Sequence, residues 1–374
     1  MGQVRILQIT DNLNRGGIET FIMNVYRSID RGKIQFDFLI SEPSKCDYED
    51  EIIALGGKIF RIPPKSMGIR KFVKSSNSFL KQNTEYRVVH IHSSSLISSL
   101  LWLLTHFRKT QTKIIHSHNT EATQDLKGMM RKIGQFILRK QYSYLFGCST
   151  EAGRWMFGDK TLNSPKYRFI KNGINTSAFF YDESLRTRKR KEMGLEGKKV
   201  IGHIGRFNTQ KNHVFIFDVF EKIHQKNPTS VLLLIGQGEL WDKMKEKAIK
   251  LGLESDILFL GVRHDINELL NAMDVFFLPS LYEGLPVVGI ESQATGIPLV
   301  VSTEITKEID ISNNVTFESL EKNAEEWASL LLNIKDNNRN TVMDNIKNNG
   351  YDIQDTVNIL SLIYLAKNKE GQHG

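Results

Sequence analysis

Short apolar runs alternate with amphipathic stretches along the first 180 residues of the chain. The apolar runs read VRILQIT, FDFLI, KIFRI, VVHIH, KIIHSH, YLFGCS and RFIKNG. They are rich in Ile, Val and Phe and apolar on both faces, which is typical of parallel strands that helices cover on both sides. Helical patterns lie between them, at 18–29, 49–55, 69–80 and 95–107. This alternation predicts a doubly wound α/β domain over residues 1–180.

The same alternation restarts after a stretch dense in charge, YDESLRTRKRKEMGLEGKK at 181–199. We place a domain junction near or just before this stretch, and interpret its Arg/Lys run as the solvated face of a helix. The later apolar runs are KVIGHIG, SVLLLIGQG, ILFLG, VFFLPS and PLVVS. A second doubly wound domain is therefore predicted over 181–354, facing the first, with ligands expected at the carboxyl ends of the strands.

Composition narrows the partners and the compartment that we expect. The 374 residues carry a net charge of +8, but the first 180 hold 27 Lys and Arg against 14 Asp and Glu, and the rest are net acidic. A basic half suggests that one domain meets an anionic partner, such as nucleic acid, a membrane surface or an anionic acceptor.

The two cysteines form no CxxC motif, the apolar run at 95–107 is too short to span a bilayer, and the N-terminus does not read as a signal peptide. We therefore expect a reduced, cytoplasmic setting.

Glycines and cations follow the strands in both halves. Gly16 and Gly17 precede the first long helix, where they would let an anion approach the backbone and the helix N-terminus. A plain turn is the alternative, and the absence of GxGxxG argues against a nicotinamide cofactor. In the second half, Arg206 and Lys211 follow the strand KVIGHIG, and Gly236 follows the next strand. Two cations just before a helix suit a diphosphate, although two surface cations would give the same pattern.

Two glutamates lie eight residues apart in YEGLPVVGIESQATGIP, at 282–298. Pro286 suits the first turn of a helix, so Glu283 would lie in the loop before that helix and Glu291 near its middle. Taken separately, Glu283 could interact with the helix dipole and Glu291 could lie on an exposed face. Because both follow a predicted strand, like Arg206 and Lys211, we interpret the four residues as one ligand site.

Four histidines, His90, His92, His116 and His118, belong to two consecutive predicted strands of the first half. Strand alternation places His116 and His118 on the same side. A metal site is not favoured, because no Asp, Glu or Cys cluster accompanies them. His118 ends its strand and is therefore the candidate to face a ligand, whereas a hydrogen-bonded structural histidine is the alternative.

Several short segments follow one another in a fixed order along the chain, namely GGIETF, NGIN, GRFNTQKN, GQGEL, LGVRHDI and DVFFLPSLYEGLPVVGIESQATGIP. In these segments and their order, the chain resembles the retaining GT-B glycosyltransferases of family 4 over nearly its whole length. Within that family, GGIETFIMNVYRSIDRGKIQFDFLI, HSHN and TKEIDI resemble capsule and exopolysaccharide enzymes. The resemblance implies a GT-B fold, in which two Rossmann-like domains face each other across a cleft. The first would lie on the acceptor side, with a C-terminal helix near 355–374 packed on it, and the second would bind a nucleotide sugar.

The resemblance also implies a role for each candidate residue. Glu291 would bind the donor ribose and Glu283 the donor sugar, Arg206 and Lys211 would hold the diphosphate, and His118 would lie beside the reacting centre. The implied catalytic residues are His118, Arg206, Lys211 and Glu283. The implied donor-binding residues are Gly16, Gly17, Arg206, Lys211, Gly236, Val262, Arg263, Glu283, Gly284, Leu285 and Glu291. No metal and no cofactor besides the donor is implied.

The function expected from this resemblance is transfer of a hexose from a nucleotide sugar, expected to be UDP-linked, to a saccharide or lipid-linked saccharide with retention of configuration. Nucleic acid is not expected as a partner. Two alternatives remain, a nucleotide-sugar epimerase on the same fold and a non-catalytic partner subunit of another transferase. TEITKEID follows PLVVS where many relatives have a glycine-bearing turn, so the contacts of this turn with the sugar stay open.

The stretch KGMMRKIGQFILRK, at 127–140, mixes Lys and Arg with Met, Phe, Ile and Leu at helical spacing. This pattern and the basic first half predict peripheral docking on the inner face of the plasma membrane. A core helix with solvated basic edges is the alternative.

Overall fold

The chain forms two compact units in the computed structural model, which describes residues 3–105, 107, 111–119, 126–335, 339 and 342–366. The first unit comprises Met1–Gly173 and Ile353–Gly374, and the second comprises Ile174–Asp352. The division therefore comes after Gly173, several residues before the charged stretch at 181–199, and residues 174–180 belong to the second unit.

Within the described residues, the first unit is built on a seven-stranded parallel sheet in the order β3-β2-β1-β4-β5-β6-β7. Its strands are β1 (Val4–Ile9), β2 (Ile34–Ile40), β3 (Ile59–Arg61), β4 (Val88–Ser93), β5 (Thr112–Ser117), β6 (Tyr144–Gly147) and β7 (Tyr167–Phe169). Ile6 of β1 lies opposite Phe36 of β2 and Val88 of β4. The strand order reverses between β1 and β4, which is where doubly wound sheets open a crevice at the carboxyl ends.

Helices cover this sheet on both faces. They are α1 (Gly17–Ser28), α2 (Glu49–Ala54), α3 (Ile69–Gln82), α4 (Leu96–Leu101), α5 (Gly128–Gln141), α6 (Thr150–Phe157) and α7 (Asp159–Leu162), with short 3-10 helices at Lys65–Met67 and Trp102–Leu104. The helix expected over 95–107 is shorter than predicted. It ends at Leu101 because the chain tightens into a 3-10 turn, which Thr105 closes by donating its hydroxyl to the carbonyl of Trp102.

The described part of 174–352 contains a six-stranded parallel sheet in the order β10-β9-β8-β11-β12-β13. Its strands are β8 (Lys199–Ile204), β9 (Ser230–Ile235), β10 (Ile257–Gly261), β11 (Val275–Leu278), β12 (Leu299–Ser302) and β13 (Val315–Glu318). The order again reverses, between β8 and β11. The sequence patterns did not indicate β13, because this edge strand is short and only half-buried, so its apolar signal is weak.

The helices of the second unit are α8 (Glu183–Glu192), α9 (His213–Lys226), α10 (Trp241–Leu251), α11 (Ile266–Ala272), α12 (Val287–Ala294), α13 (Ala324–Asn333) and α14 (Met343–Asn348), with a 3-10 helix at Lys307–Ile309. The core of this unit lies between the sheet and α9, α10 and α13. Trp327 of α13 is fully buried there against Phe215 and Phe277. Burial of each such side chain contributes roughly 1.5–3 kcal/mol to stability.

The Arg/Lys run of α8 is only partly a solvated face, and that interpretation was wrong for Lys189 and Arg190. Lys189 is buried, with its Nζ 3.0 Å from Asp265 and 2.9 Å from Glu268. Arg190 binds Asp274, which precedes β11. Burial alone would lower the pKa of Lys189, but its hydrogen bonds to Glu268 and Asp265 outweigh this effect and raise it. The run therefore fastens α8 to the second unit.

The chain finally returns to the first unit as α15 (Ile353–Ala366), which contacts α1 and β1. Residues 367–374 of the expected C-terminal helix lie outside the described residues. None of the described helices is both long and apolar enough to cross a membrane.

Candidate functional site

Two loops at the carboxyl ends of β8 and β9 lie backbone against backbone. Phe207 donates its N–H to the carbonyl of Gln237 at 3.0 Å, and Gly205 donates to Ile235 at 2.9 Å. Gly236 has a φ of +133°, and a Cβ there would lie 2.0 Å from the carbonyl oxygen of Gly205. A glycine is thus required at 236 by the packing of the loops themselves, and its presence does not by itself indicate a ligand.

Lys211 and Glu283 form a buried ion pair between the β8–α9 loop and the β11–α12 loop. The Lys211 Nζ lies 2.5 Å from Glu283 Oε1, and the two side chains are 14% and 9% exposed. The loops are tied together beside the pair, because Leu281 donates its N–H to the carbonyl of Gln210 at 2.9 Å. Asn208 fixes the lysine backbone by accepting the N–H of Lys211 at 3.1 Å. The structure therefore supplies the partner that a carboxylate in an apolar segment needs.

Glu291 is buried on α12, at 8% exposure, so the alternative of an exposed face was wrong. Pro286 is the N-cap of this helix, one residue before the first turn where we expected it. Gln293 of the same helix accepts the N–H of Ile311 at 3.0 Å and donates to the carbonyl of Ile309 at 2.7 Å. It thereby fastens the end of TEITKEID and the residue after it to the helix that carries Glu291, a role that sequence reasoning missed.

The other candidates of the second unit are distributed around its strand ends. Arg206 is 59% exposed, and its Nε lies 3.6 Å from an equally exposed Glu239, so this pair contributes little stability. Arg263 is paired with Asp265 at 2.7 Å, next to the exposed Val262. Gly284 and Leu285 are buried and follow Glu283 directly. The structure brings Lys211 and Glu283 together and leaves the Arg206 side chain free to reorient.

Two further histidines lie beneath the Lys211 loop and were not singled out from the sequence. His203 is buried in β8, with Nδ1 2.8 Å from the carbonyl of Phe277. His213 begins α9 and stacks on Phe207, with ring centroids 4.0 Å apart. Burial lowers the pKa of His213 to about 4 and that of His203 well below its ordinary value. Both are therefore neutral near neutral pH and belong to the support of the loop.

In the first unit, the loop between β1 and α1 is held in one conformation. Arg15 donates its N–H to a carboxylate oxygen of Asp47 at 3.0 Å, and Tyr48 donates its N–H to the carbonyl of Leu13 at 3.1 Å. Gly16 is the N-cap of α1. A Cβ at Gly17 would meet no atom within 4 Å, so packing does not require a glycine there. The open space beside Gly17 is available to a ligand.

The four histidines form one cluster, in which His90, His92 and His116 are buried in β4 and β5 and His118 directly follows β5 and is half-buried. His92 Nδ1 lies 2.9 Å from His118 Nε2, and His92 Nε2 lies 2.9 Å from Gln8 Oε1. His90 Nδ1 lies 2.7 Å from the hydroxyl of Tyr364. Burial lowers the pKa of His118 to about 3 and lowers that of the other three well below its ordinary value. The cluster is therefore uncharged at neutral pH.

Three of these histidines, His90, His92 and His116, have nitrogens within 4.8 Å of one another. The ring of His90, however, is stacked on the rings of both others. The centroids of His90 and His92 lie 4.1 Å apart at 28°, and the planes of His90 and His116 differ by 12°. A nitrogen lone pair lies in the plane of its ring, so stacked rings do not converge on one ion. The geometry of this cluster favours stacking and hydrogen bonding over metal ligation.

Comparison with known proteins gives one family match in the second unit and relatives that cover nearly the whole chain. Residues 186–352 match the family described as "Glycosyl transferases group 1". The "Putative glycosyltransferase EpsF" of Bacillus subtilis (strain 168) is 32% identical over 97% of this chain and 96% of its own length. The "Capsular polysaccharide biosynthesis glycosyltransferase CapH" of Staphylococcus aureus is 24% identical over 97% of this chain and 99% of its own.

Two further proteins are similar over most of the chain. The Escherichia coli "UDP-Gal:alpha-D-GlcNAc-diphosphoundecaprenol alpha-1,3-galactosyltransferase" is 27% identical over 88% of this chain and 89% of its own length. The crystal structure of Anabaena HepE in complex with UDP and glucose superimposes with a TM-score of 0.77 at 17% identity, covering 96% of this chain and 98% of HepE. The α/β fold of two Rossmann-like units is therefore the GT-B fold, and this chain belongs to the group 1 glycosyl transferases.

Proposed function

We propose that this glycosyltransferase of polysaccharide biosynthesis is a retaining enzyme of family 4. It transfers a hexose from a UDP-linked donor to a lipid-linked saccharide. The observation that carries the proposal is the buried Lys211–Glu283 pair, since it joins the loops that follow β8 and β11, where the strand order of the second unit reverses. Ligands of doubly wound sheets bind at that place. A charge pair at that place offers an ammonium group and a carboxylate to a charged, hydroxyl-rich ligand.

The chemistry assigns different tasks to the two partners of the pair. Transfer of a sugar from a nucleoside diphosphate builds negative charge on the leaving diphosphate, and fixed cations stabilise that charge. Lys211, on a flexible four-carbon stem, moves its ammonium group from Glu283 to the diphosphate. The Glu283 carboxylate then accepts hydrogen bonds from hydroxyls of the sugar. The exposed Arg206 turns toward the same diphosphate, and the transfer needs no metal ion.

The remaining donor contacts follow from the other candidates. Glu291 accepts hydrogen bonds from both ribose hydroxyls, which a carboxylate can do with its two oxygens. The backbone near Val262 and Arg263 binds the base, and the backbone at Gly236 and Gly284 contacts the donor. In the first unit, Gly17 and His118 contact the diphosphate and the transferred sugar. Glu283 has no role as a nucleophile in this scheme.

The identity of the donor and acceptor is supported by the relatives. The name of the Escherichia coli relative specifies a UDP-galactose donor and a diphosphoundecaprenol-linked acceptor. HepE was crystallised with UDP and glucose. An acceptor on a long polyprenol lies in a membrane, so we propose that the protein works at the inner face of the plasma membrane as a peripheral protein.

The test begins with a thermal-shift screen of purified protein against nucleotide sugars, with and without EDTA. The stabilising donor is then incubated with membrane lipid extract, and the anomeric configuration of the product is read by NMR. We expect one UDP-sugar to bind and to give an EDTA-insensitive, retained product. A protein that binds no nucleotide contradicts the proposal. Binding without transfer would indicate a non-catalytic subunit, and conversion of the donor without an acceptor would indicate an epimerase.

A further inference from the structure

We propose that α5 docks the protein on an anionic lipid bilayer through one exposed apolar stripe, which we call the α5 face. The α5 face consists of Met129, Met130, Ile133, Phe136 and Ile137. These side chains are between 38% and 78% exposed. Large apolar side chains that are exposed together on one helix mark an interaction surface, whereas single exposed ones are ordinary.

The spacing of these residues places them on one side of the helix. They occupy positions i, i+1, i+4, i+7 and i+8, which share a face at 3.6 residues per turn. Of the buried residues of α5, Leu138 lies on the side away from the stripe, and Gly134 lies next to the edge of the stripe. The helix thus presents its apolar stripe to solvent, which reverses the orientation expected of a surface helix in a globular protein.

Contacts on the inner side of α5 fix this orientation. A Cβ at Gly134 would lie 3.0 Å from a methyl group of Leu100, so the glycine lets α5 approach α4 closely. Arg131 and Gln135 both point inward and donate hydrogen bonds to the carbonyl of Trp155, at 3.0 Å and 2.9 Å. Rotating the helix to bury the α5 face would break these bonds. The apolar side is therefore exposed because polar groups hold the other side.

The charges around the α5 face select the partner. Lys132, Arg139 and Lys140 lie on α5 and Lys127 caps it, whereas the helix contains no acidic residue. Lys140 Nζ lies 4.4 Å from the ring centroid of Phe136, so a cation sits within the stripe itself. Apolar side chains ringed by cations match the boundary between acyl chains and anionic headgroups. A symmetric pairing of two copies through this face would instead bring like charges together.

This proposal rests on the proposed function in one respect only: docking through the α5 face would bring the enzyme to its lipid-linked acceptor. The surface itself can be tested without any transfer reaction. The test is sedimentation of the full chain with phosphatidylcholine vesicles that contain or lack phosphatidylglycerol. We expect binding to the anionic vesicles, weakened by salt, and little binding to the neutral ones.

Two variants separate the apolar and the charged contributions. Ile133→Ser/Phe136→Ser should bind anionic vesicles at least about tenfold more weakly. Lys132→Gln/Lys140→Gln should bind about 25-fold more weakly, at about fivefold per cation. The matched control is Ile249→Ser/Leu362→Ser, which removes comparably exposed apolar side chains from two other helices. The control should bind vesicles like the wild type.

UDP binding, measured by calorimetry, should be unchanged in all these variants. Loss of vesicle binding with intact UDP binding thus separates this proposal from the proposed function. The proposal is overturned if the wild type does not sediment with anionic vesicles at low salt, or if the apolar variant binds them as tightly as the control. Concentration-dependent dimerisation that the apolar variant abolishes, without vesicle binding, would assign the face to a second copy instead.

A separate observation carries a second inference. We infer that His92 and Gln8 are positioning residues that determine which nitrogen of His118 carries the proton. The three side chains form a hydrogen-bonded chain from β5 through β4 to β1, with both links at 2.9 Å. No charged residue takes part in these two links.

The direction of each of these hydrogen bonds follows from the group at one end of the series, the side chain of Gln8. The carbonyl oxygen of Gln8 only accepts, so the facing Nε2 of His92 must carry a hydrogen. A neutral imidazole has one N–H, which leaves Nδ1 of His92 as an acceptor. The hydrogen between His92 and His118 therefore belongs to Nε2 of His118. As a result, Nδ1 of His118 carries a lone pair, and it can accept a hydrogen bond from a sugar hydroxyl but cannot donate one.

Nitrogen-15 NMR of histidine-labelled protein tests this directly, because long-range proton–nitrogen correlations distinguish the two tautomers. We expect His118 as the Nε2–H tautomer in the free wild type, in Gln8→Glu, and in the control Gln35→Leu. Gln35 is also buried in the first unit but hydrogen-bonds Tyr26 instead of a histidine. Gln8→Leu should show a mixture of both tautomers. The inference is overturned if the wild type shows the Nδ1–H tautomer, or if Gln8→Leu leaves the spectrum of His118 unchanged. The measurement needs no substrate, so it stands apart from the proposed function.

Discussion

The Lys211–Glu283 pair makes the proposed mechanism testable by a double-mutant cycle. Lys211→Met keeps the stem of the side chain and removes its charge from a carboxylate that is only 9% exposed. Breaking a buried ion pair on one side costs about 3–5 kcal/mol of stability, and the partial exposure here favours the low end, about 3 kcal/mol. Glu283→Gln should cost a similar amount for the reciprocal reason. The double variant Lys211→Met/Glu283→Gln leaves no charge behind and should recover most of the stability.

Transfer activity should behave differently from stability in the same cycle. Loss of one group that stabilises developing charge raises the activation free energy by about 2.7–4 kcal/mol, which lowers turnover about 10²–10³-fold. Lys211→Met should therefore lose turnover by this factor, and the double variant should not regain it. Urea unfolding and initial rates of transfer are measured on all four proteins. Lys226→Met, which breaks the exposed pair with Glu325, is the control and should change neither by more than about 1 kcal/mol.

The two readouts decide between a catalytic and a structural pair. If the double variant recovers transfer together with stability, the pair serves only to join the loops, and the diphosphate role of Lys211 is refuted. If Lys211→Met is as stable as the control, the pair is not buried in solution as the structure has it.

Three further predictions concern the donor site and its support. Glu291→Gln should weaken UDP binding about 10–100-fold in calorimetry, because one charge-assisted hydrogen bond is worth about 1.5–3 kcal/mol, and unchanged affinity would exclude the ribose role. Gly236→Ala should destabilise the protein by about 3 kcal/mol or more, since its Cβ would meet the carbonyl of Gly205. Gly252→Ala, at a φ of +67° in open space, should cost about 1 kcal/mol, and equal losses in thermal unfolding would contradict this expectation. The pKa of His213 is about 4 in the folded chain against about 6.5 unfolded, so the unfolded state takes up the proton first. The contribution of His213 to stability is therefore full above pH ~6.5 and falls by about 1.4 kcal/mol per pH unit toward pH ~4. His213→Phe should show a shallower fall between pH ~6 and ~4.5, and an equal slope would show that His213 is not buried neutral.

The order of strands and helices could be predicted from the sequence because both sheets are parallel and buried, so each strand reads as an apolar run. The edge strand β13 could not, since half-buried residues carry no such run. The limits of α4 and the buried side of α8 were also missed. Both depend on contacts made by particular side chains, such as Lys189 with Asp265, and the charge pattern alone does not reveal them.

For the candidate site, the sequence likewise predicts the residue types, whereas the contacts between them come only from the structure. Its residue types could be predicted from their position after strands, because sheet topology brings the carboxyl ends of strands to one edge. The pairing of Glu283 with Lys211 needed the structure, since 72 residues separate them. The links from His92 to Gln8 and from His90 to Tyr364 join segments even more remote in the sequence, and no local pattern marks them. The exposure of the α5 face likewise depends on how Arg131 and Gln135 bind the neighbouring helix.

The central claim is that a nucleotide sugar bound in the second unit gives its sugar to a lipid-linked acceptor with the help of Lys211. The most direct measurement uses radiolabelled nucleotide sugars and membrane lipid extract, with the label in the lipid fraction measured by chromatography. We expect one UDP-sugar to label the lipid fraction in the presence of EDTA, and we expect Lys211→Met to lower this rate about 10²–10³-fold. Absence of label from every donor, or a Lys211→Met rate equal to that of the wild type, would contradict it.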